Sequence, residues 1–408
     1  MPFRISTLTV LFRLAHEPMD RQMTMDVTES GEKSTPKTKA TAARKTASSR
    51  KSAGRSKSKK IKLGLDLGTL NSCYAEKLPK AGAEAEGVVV PTVVGFAEDG
   101  ILSGILPGNS STLFGDEALE NGLHLRLTRP MADGVVSDME GAGLFLKHLR
   151  SRVDPAGEAE VSAVIGVPAV ADATAKDNLK QAAKGAFDGV LFIPEPFLAA
   201  LGCRDESQLE DPDYQDPVAN SLFVDVGAGT TDFCIVQGYF PKAEDQLSIP
   251  FAGNEVDAVL DKAIREAYPE VDLPMEMIRQ FKEEFSYVGE PESGARVKVP
   301  VEGKPRKIEI GKQVGEACNQ LLAEVFESIK KVISMVSSQS VFSLLQNIIL
   351  TGGGSQIRNF DKELQRLLVE DDYENPVVTV AARDTKPFVA LGALKVGRAA
   401  RDDQWIRP

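Results

Sequence analysis

Cysteine and histidine are scarce in this 408-residue chain, with four of the first and three of the second. Cys73, Cys203, Cys234 and Cys318 show no paired spacing, and His16, His124 and His148 are as scattered, which fits a reducing cytosol and not a zinc site. No apolar run approaches the roughly 20 residues needed to span a bilayer, so a soluble or peripheral, cytoplasmic protein without a transmembrane segment is expected. A Gly-Lys-Ser/Thr tripeptide is missing too, and with it the Walker-type phosphate loop.

What is present is unevenly charged. Residues 1–62 carry 15 Lys/Arg against 5 Asp/Glu, and the remainder carries 33 against 54, a net charge of −21. So acidic a body argues against nucleic acid as its main ligand, and any such contact falls to the tail. Residues 26–60 are rich in Lys, Arg, Ser, Thr and Ala with almost no large apolar side chains, and residues 1–60 are read as a disordered basic extension. It is either a solvated spacer or an electrostatic tether to anionic membrane, nucleic acid or an acidic partner. Ahead of it, the apolar stretch Phe3 to Leu14 has three readings left open: a membrane-surface helix, a signal-like segment, or sequence before a true start at Met19, Met23 or Met25.

From Ile61 the pattern becomes strands alternating with helices. Ile61–Asp66 followed by a Gly-Thr turn and a strand through Tyr74 reads as a hairpin. Val88–Phe96 and Ser162–Val167 read as strands, Ala142–Arg152 and Ala173–Ala186 as helices, and the acidic stretch Arg204–Asn220 as a surface loop. Then the opening recurs: LGLDLGT-LNSCYA and LFVDVGAGTTDFCI share strand, aspartate, glycine turn, hydroxyl and returning strand. The two aspartates, Asp66 and Asp225, are 159 positions apart. A chain of this length holds two domains of about 150–200 residues, and the recurrence makes them related, each presenting one loop to a shared cleft.

Such loops suit a nucleotide phosphate chain, because glycine turns let backbone N–H donors come close to phosphate oxygens. Gly68, Thr69, Leu70 and Asn71 form the first, and Gly227, Ala228, Gly229, Thr230 and Thr231 the second. Mg²⁺ keeps several of its waters when bound, and Asp66 and Asp225, each at the end of its strand, are placed to hold those waters from opposite sides. A third cluster, Gly352-Gly353-Gly354-Ser355, follows the apolar strand Asn347–Leu350 and precedes a helix over Phe360–Val369. It admits a flat group, the adenosine, close to the main chain.

In this order Gly64–Ser72, Ser162–Ala171, Leu222–Phe233, Ile348–Arg358 and Pro387–Lys395 resemble the five nucleotide-site motifs of the actin, sugar-kinase and seventy-kilodalton chaperone superfamily. The likeness spans residues 61–400. KEEFSYVG at Lys282–Gly289 resembles the adenine-side helix of actins, implying that Lys282 and Glu283 contact base and ribose. MADGVVSD, VIGVPA, IPEPF, PKAEDQLSIPFAGNEVD and LTGGGSQIR are similar to the magnetosome branch of bacterial actins more than to the cell-shape branch.

The resemblance implies an α/β fold of actin type, two related domains with mixed sheets flanked by helices and ATP with Mg²⁺ in the cleft between them. Domain I covers 61–220, with a peripheral subdomain at about 92–129. Domain II covers 221–402, with a larger one at about 252–310. Glu195 matches the position that orients or deprotonates the attacking water, although alone it reads as a carboxylate at a helix N-terminus. The implied activity is ATP hydrolysis coupled to self-assembly into a filament that aligns an organelle such as a magnetosome chain, with adaptor proteins on the organelle surface. Alternatives are a cell-shape or plasmid-segregating filament, and a soluble phosphotransferase, for which no catalytic base other than Glu195 offers itself. A chaperone is disfavoured because no substrate-binding β-domain follows residue 400. The basic tail and the acidic stretch Arg204–Asn220 depart from the branch pattern.

Overall fold

The computed structural model describes residues 59–79, 86–289, 294–381 and 386–408. The expectations for the basic extension and for Phe3–Leu14 therefore lie outside the described residues. The exceptions are Lys59, whose carbonyl accepts from Glu160 N at 2.9 Å, and Lys60, which opens the first strand.

The first half is built on a hairpin. Strand β1 (Lys60–Leu67) turns at Gly68–Leu70 into antiparallel β2 (Asn71–Ala75), which pairs with β3 (Val88–Pro91). The expected single strand Val88–Phe96 is broken at Thr92 and Val93, directly after Pro91, which cannot donate to a ladder. Its second part, β4 (Val94–Ala97), leaves the main sheet and joins β5 (Thr112–Phe114) and β6 (Leu125–Thr128) in a small sheet with the short helix α1 (Gly115–Glu120). A two-residue-per-strand hairpin, β7 (Met131–Ala132) and β8 (Val135–Val136), leads into α2 (Met139–Val153), capped by the Asp138 carboxylate accepting from Gly141 N. Strand β9 (Glu160–Val167) then runs parallel to β1, and after α3 (Ala173–Ala182) strand β10 (Gly189–Pro194) runs parallel to β9. Helix α3 stops four residues short of the expected Ala186, and Ala183 to Phe187 form turns instead. Helix α4 (Glu195–Cys203) starts directly at the end of β10.

The second half repeats the plan. Strand β11 (Ser221–Val226) hairpins with β12 (Thr231–Val236), and β13 (Gln246–Ile249) pairs antiparallel with β12. Helices α5 (Gly253–Ala267) and α6 (Met275–Phe285) and the hairpin of β14 (Arg296–Val301) and β15 (Lys304–Glu309) follow. Then come the long α7 (Gly311–Met335), α8 (Ser338–Leu345), and β16 (Ile348–Thr351), which is parallel to β11. Helix α9 (Phe360–Glu370), strand β17 (Val378–Val380) and helix α10 (Lys386–Ala399) complete the elements used below.

The two five-stranded sheets, β10-β9-β1-β2-β3 and β17-β16-β11-β12-β13, have the same order and directions, with the hairpin strand central and two parallel strands on one side. In both, the motif aspartate sits one residue before the end of its strand, paired across the hairpin: Asp66 with Cys73 and Asp225 with Asp232. Strands buried on both faces read as near-continuous apolar runs, as β9 (EVSAVIGV) and β16 (IILT) do.

Each half has its own core, and a third cluster joins them. It contains Val164 and Leu191 of the first sheet, Phe223, Cys234 and Ile349 of the second, and α4 and α10 residues including Phe197, Val389 and Val396. Helix α10 packs on β1, β9 and α4. The chain thus returns to the first half after β17, and the outline of a second domain running unbroken over 221–402 is corrected at that helix. The returning helix finds an apolar face on the first sheet and leaves β17 as the edge of the second. No helix among the described residues is long and apolar enough to cross a membrane.

Candidate functional site

The carboxyl ends of the central parallel strands of both sheets meet at one cavity of about 450 Å³, large enough for a small-molecule ligand. From the first half it is lined by Asp66, the turn Gly68–Asn71, Glu195 and Val389. The second half supplies Asp225, Gly227, Ala228, Lys282, Glu283 and Thr351 to Gly354. The β1–β2 and β11–β12 turns thus face one another across it. Gly352 has φ 79°, and a Cβ there would stand 2.3 Å from an Asp225 carboxylate oxygen and 2.5 Å from Val226 O, so both conformation and space require glycine.

Four residues named from the sequence lie outside this lining. Gly229 is buried against Asp133 and Thr69 of the first half. The Thr230 hydroxyl donates to Asp232 at 2.8 Å, that of Thr231 to Phe251 O at 2.8 Å, and that of Ser355 to Gly352 O at 2.7 Å. The reason is satisfaction: a buried hydroxyl beside a free acceptor bonds inward. These three side chains brace the turns, and backbone groups are what the turns offer the cavity. Lining residues not singled out from the sequence are Gly253, Val256, Ser286, Gln356 and Ile357, all inside the quoted motif segments, and Leu321 of α7, which lies in none of them.

Asp232 was missed as well. It is 2% exposed, and its carboxylate accepts from Ala169 N at 3.1 Å, a backbone group of the first half. It therefore joins the end of β9 to the turn of the second half. An acid inside TDFCIV, whose neighbours are all buried, was the available signal.

Glu195 opens α4 and lies over Gly166 of β9, where an added Cβ would stand 2.8 Å from its Cγ. Burial, then the charges of Asp66, Asp225 and Asp232, hold its carboxyl well above the usual range. Burial also pushes Asp66 up to about 7 and Asp225 up to about 8, the latter helped by Asp66 and Asp232. Asp66 and Asp225 keep an edge open to the cavity, so solvent damps these shifts without reversing them.

Three partly buried acids that oppose one another's ionisation make a place for positive charge. Among the described residues no three His, Cys, Asp or Glu side chains come close enough to cage a metal ion directly. That donor set fits Mg²⁺ held mainly through its own waters, with Asp66 and Asp225 as the outer acceptors.

The acids give the nucleotide-free protein a pH signature. Because the folded pKa values of Asp66 and Asp225 exceed their ordinary value of 3.8, the folded state holds extra protons between about pH 4 and 8. Their contribution to stability is fully present below about pH 4 and is lost progressively as pH rises from there to between about 7 and 8. Thermal unfolding after chelation is expected to show a falling Tm from pH 6 to 8.5, with a shallower slope for Asp225→Asn. Parallel slopes would mean that Asp225 ionises normally.

The geometry is that of a split-cleft nucleotide-binding protein with related halves. The chain belongs to the MreB/Mbl protein family, whose sequence profile matches residues 60–403. It is 34% identical over 310 residues to the actin-like protein MamK of Paramagnetospirillum magneticum, covering 75% of this chain and 83% of that one. The solved MamK double helical filament superposes with a TM-score of 0.74 at 32% identity, over 83% of this chain and 99% of that chain. A non-polymerising point mutant of MamK bound to AMPPNP matches at 0.60 and 32% identity, over 84% and 99%. The fold is actin-like.

Proposed function

We propose that this protein binds ATP with Mg²⁺ in the cleft, assembles with copies of itself into a filament, and hydrolyses the ATP so that the filament turns over. One observation carries the hydrolytic part: Glu195 shares a cavity with Asp66 and Asp225 and with glycine turns from both halves. Assembly is supported by the likeness, over most of both chains, to a protein solved as a double helical filament.

In this reading the Gly68 and Ala228 turns offer main-chain donors to the phosphates, while the Gly352–Gly354 turn, Glu283, Ser286 and Ile357 border the nucleoside. Bound Mg²⁺ supplies positive charge that offsets the phosphate oxygens and favours ionised carboxylates. Glu195, once ionised, accepts a proton from water or orients it toward the terminal phosphorus. Because the cleft walls belong to both halves, a neighbouring subunit that sets their angle also sets this geometry, so hydrolysis follows polymerisation.

Electron microscopy of purified protein with Mg-ATP, paired with phosphate release, tests the proposal. Filaments that form with ATP and thin out as phosphate accumulates are expected; phosphate release by protein that never polymerises would reject the coupling. The cargo reading, alignment of an intracellular organelle such as a magnetosome chain through adaptor proteins, rests on the sequence likeness to MamK. Within it the basic extension is the tether. Deleting residues 33–57, which stops short of β1, is expected to remove salt-sensitive cosedimentation with anionic vesicles or DNA and to leave polymerisation intact. Unchanged cosedimentation would dispose of the tether.

A further inference from the structure

We infer that Lys282, with Asp257 behind it, is a positioning residue for the second phosphate loop. This rests on the nucleotide reading of the cleft. Lys282 stands in the last turn of α6, and its side chain is 14% exposed. Its ammonium donates to Gly253 O at 2.9 Å and lies 2.8 Å from Asp257 Oδ1. Asp257 is 1% exposed, and its other oxygen lies 3.4 Å from Arg279 Nε, one turn earlier on α6. Neither cation is spare: Arg279 also donates to Glu276 at 2.8 Å.

What this triad holds is the start of α5. Gly253 N donates to Gly227 O at 3.1 Å and Asn254 N to Ala228 O at 2.7 Å, so two N–H groups that a helix N-terminus leaves unsatisfied grip the loop carbonyls. In a planar trans peptide the carbonyl and the following N–H point in opposite directions. Pinning Gly227 O to α5 therefore aims the Ala228 N–H away from that helix, as a phosphate donor must be. An ammonium at a helix N-terminus is electrostatically unfavourable there, and the buried Asp257 carboxylate, one turn further along α5, makes the position tenable. Glu283, next in sequence and exposed, is left as the polar group of the pair that faces the nucleoside.

Calorimetric titration of the full chain below its assembly concentration, in Mg²⁺, with ATP, ADP and adenosine separates the two roles. Lys282→Met is expected to weaken ATP and ADP by about tenfold or more, the scale of one charged hydrogen bond, while adenosine changes less than about threefold. Asp257→Asn, away from the cavity lining, is expected to give the same selective loss, and Lys282→Arg to restore ATP binding to within about threefold. If Asp257→Asn does not fold, the Met and Arg variants alone decide. Equal loss of adenosine and ATP in Lys282→Met would overturn the inference in favour of a base or ribose contact. Wild-type protein that binds neither ATP nor ADP would overturn the nucleotide reading and this inference with it.

Discussion

Glu195→Gln is expected to lower phosphate release by about 10²–10³-fold, the usual worth of a positioned base, while ATP affinity stays within about threefold and filaments persist. Glutamine keeps the shape and can still orient a water, but it cannot take its proton. Glu195→Ala measured beside it divides the two jobs. If orientation were all that Glu195 supplies, the glutamine variant would retain activity to within about tenfold and only the alanine variant would fail. The surroundings favour the larger loss: burial and three neighbouring acids make the carboxyl proton-avid once compensating charge lets it ionise. The substitution should also raise the Tm of the nucleotide-free protein at pH 8, since it removes one of several opposed carboxyls. A variant unable to polymerise would instead assign Glu195 to assembly.

Much of this cleft was legible because its signals are local. Asp66 and Asp225 each end a strand and precede a glycine turn, and turn chemistry and period-two burial act over fewer than about ten residues. Their recurrence exposed the duplicated plan that the two identical strand orders display. The break after Pro91 was local too, and a proline inside VVVPTVVGF was its warning. What could not be read were pairings over long separations. Ala169 meets Asp232 across 63 positions, and Lys282 meets Gly253 across 29. Whether a threonine of the second turn points at a ligand or at Phe251 O depends on β13 and α5, which no pattern in GAGTT encodes. For the same reason the Pro387–Lys395 motif marked α10 as part of the site without saying which sheet it packs on, and only packing sends it back to the first sheet.

That return sets up the largest expected effect on stability, at Gly392. An added Cβ there would stand 1.8 Å from Leu198 O and 2.7 Å from Leu198 C, atoms of the α4 backbone that no rotamer change can move. Gly202 of α4 meets Phe388 O at 2.0 Å by the same measure, and Gly64 of β1 meets Ala390 O at 1.9 Å, so α10 is seated by main-chain contact on two elements. Gly392→Ala forces the helices apart and opens the cluster that joins the halves. A cost of about 3 kcal/mol or more is expected, a fall in Tm of about 6–12 °C for a unit of this size. Because α4 begins at Glu195 and Val389 of α10 lines the cavity, hydrolysis should fall as well, below what the unfolded fraction explains. Gly143 in α2 supplies the contrast. Its Cβ would meet only Ala182 O at an ordinary 3.6 Å, so Gly143→Ala should raise stability by about 0.5–1 kcal/mol through helix propensity. If the two variants melted alike, close backbone approach would not be what seats α10, and the rigidity of the Glu195 platform would need another source.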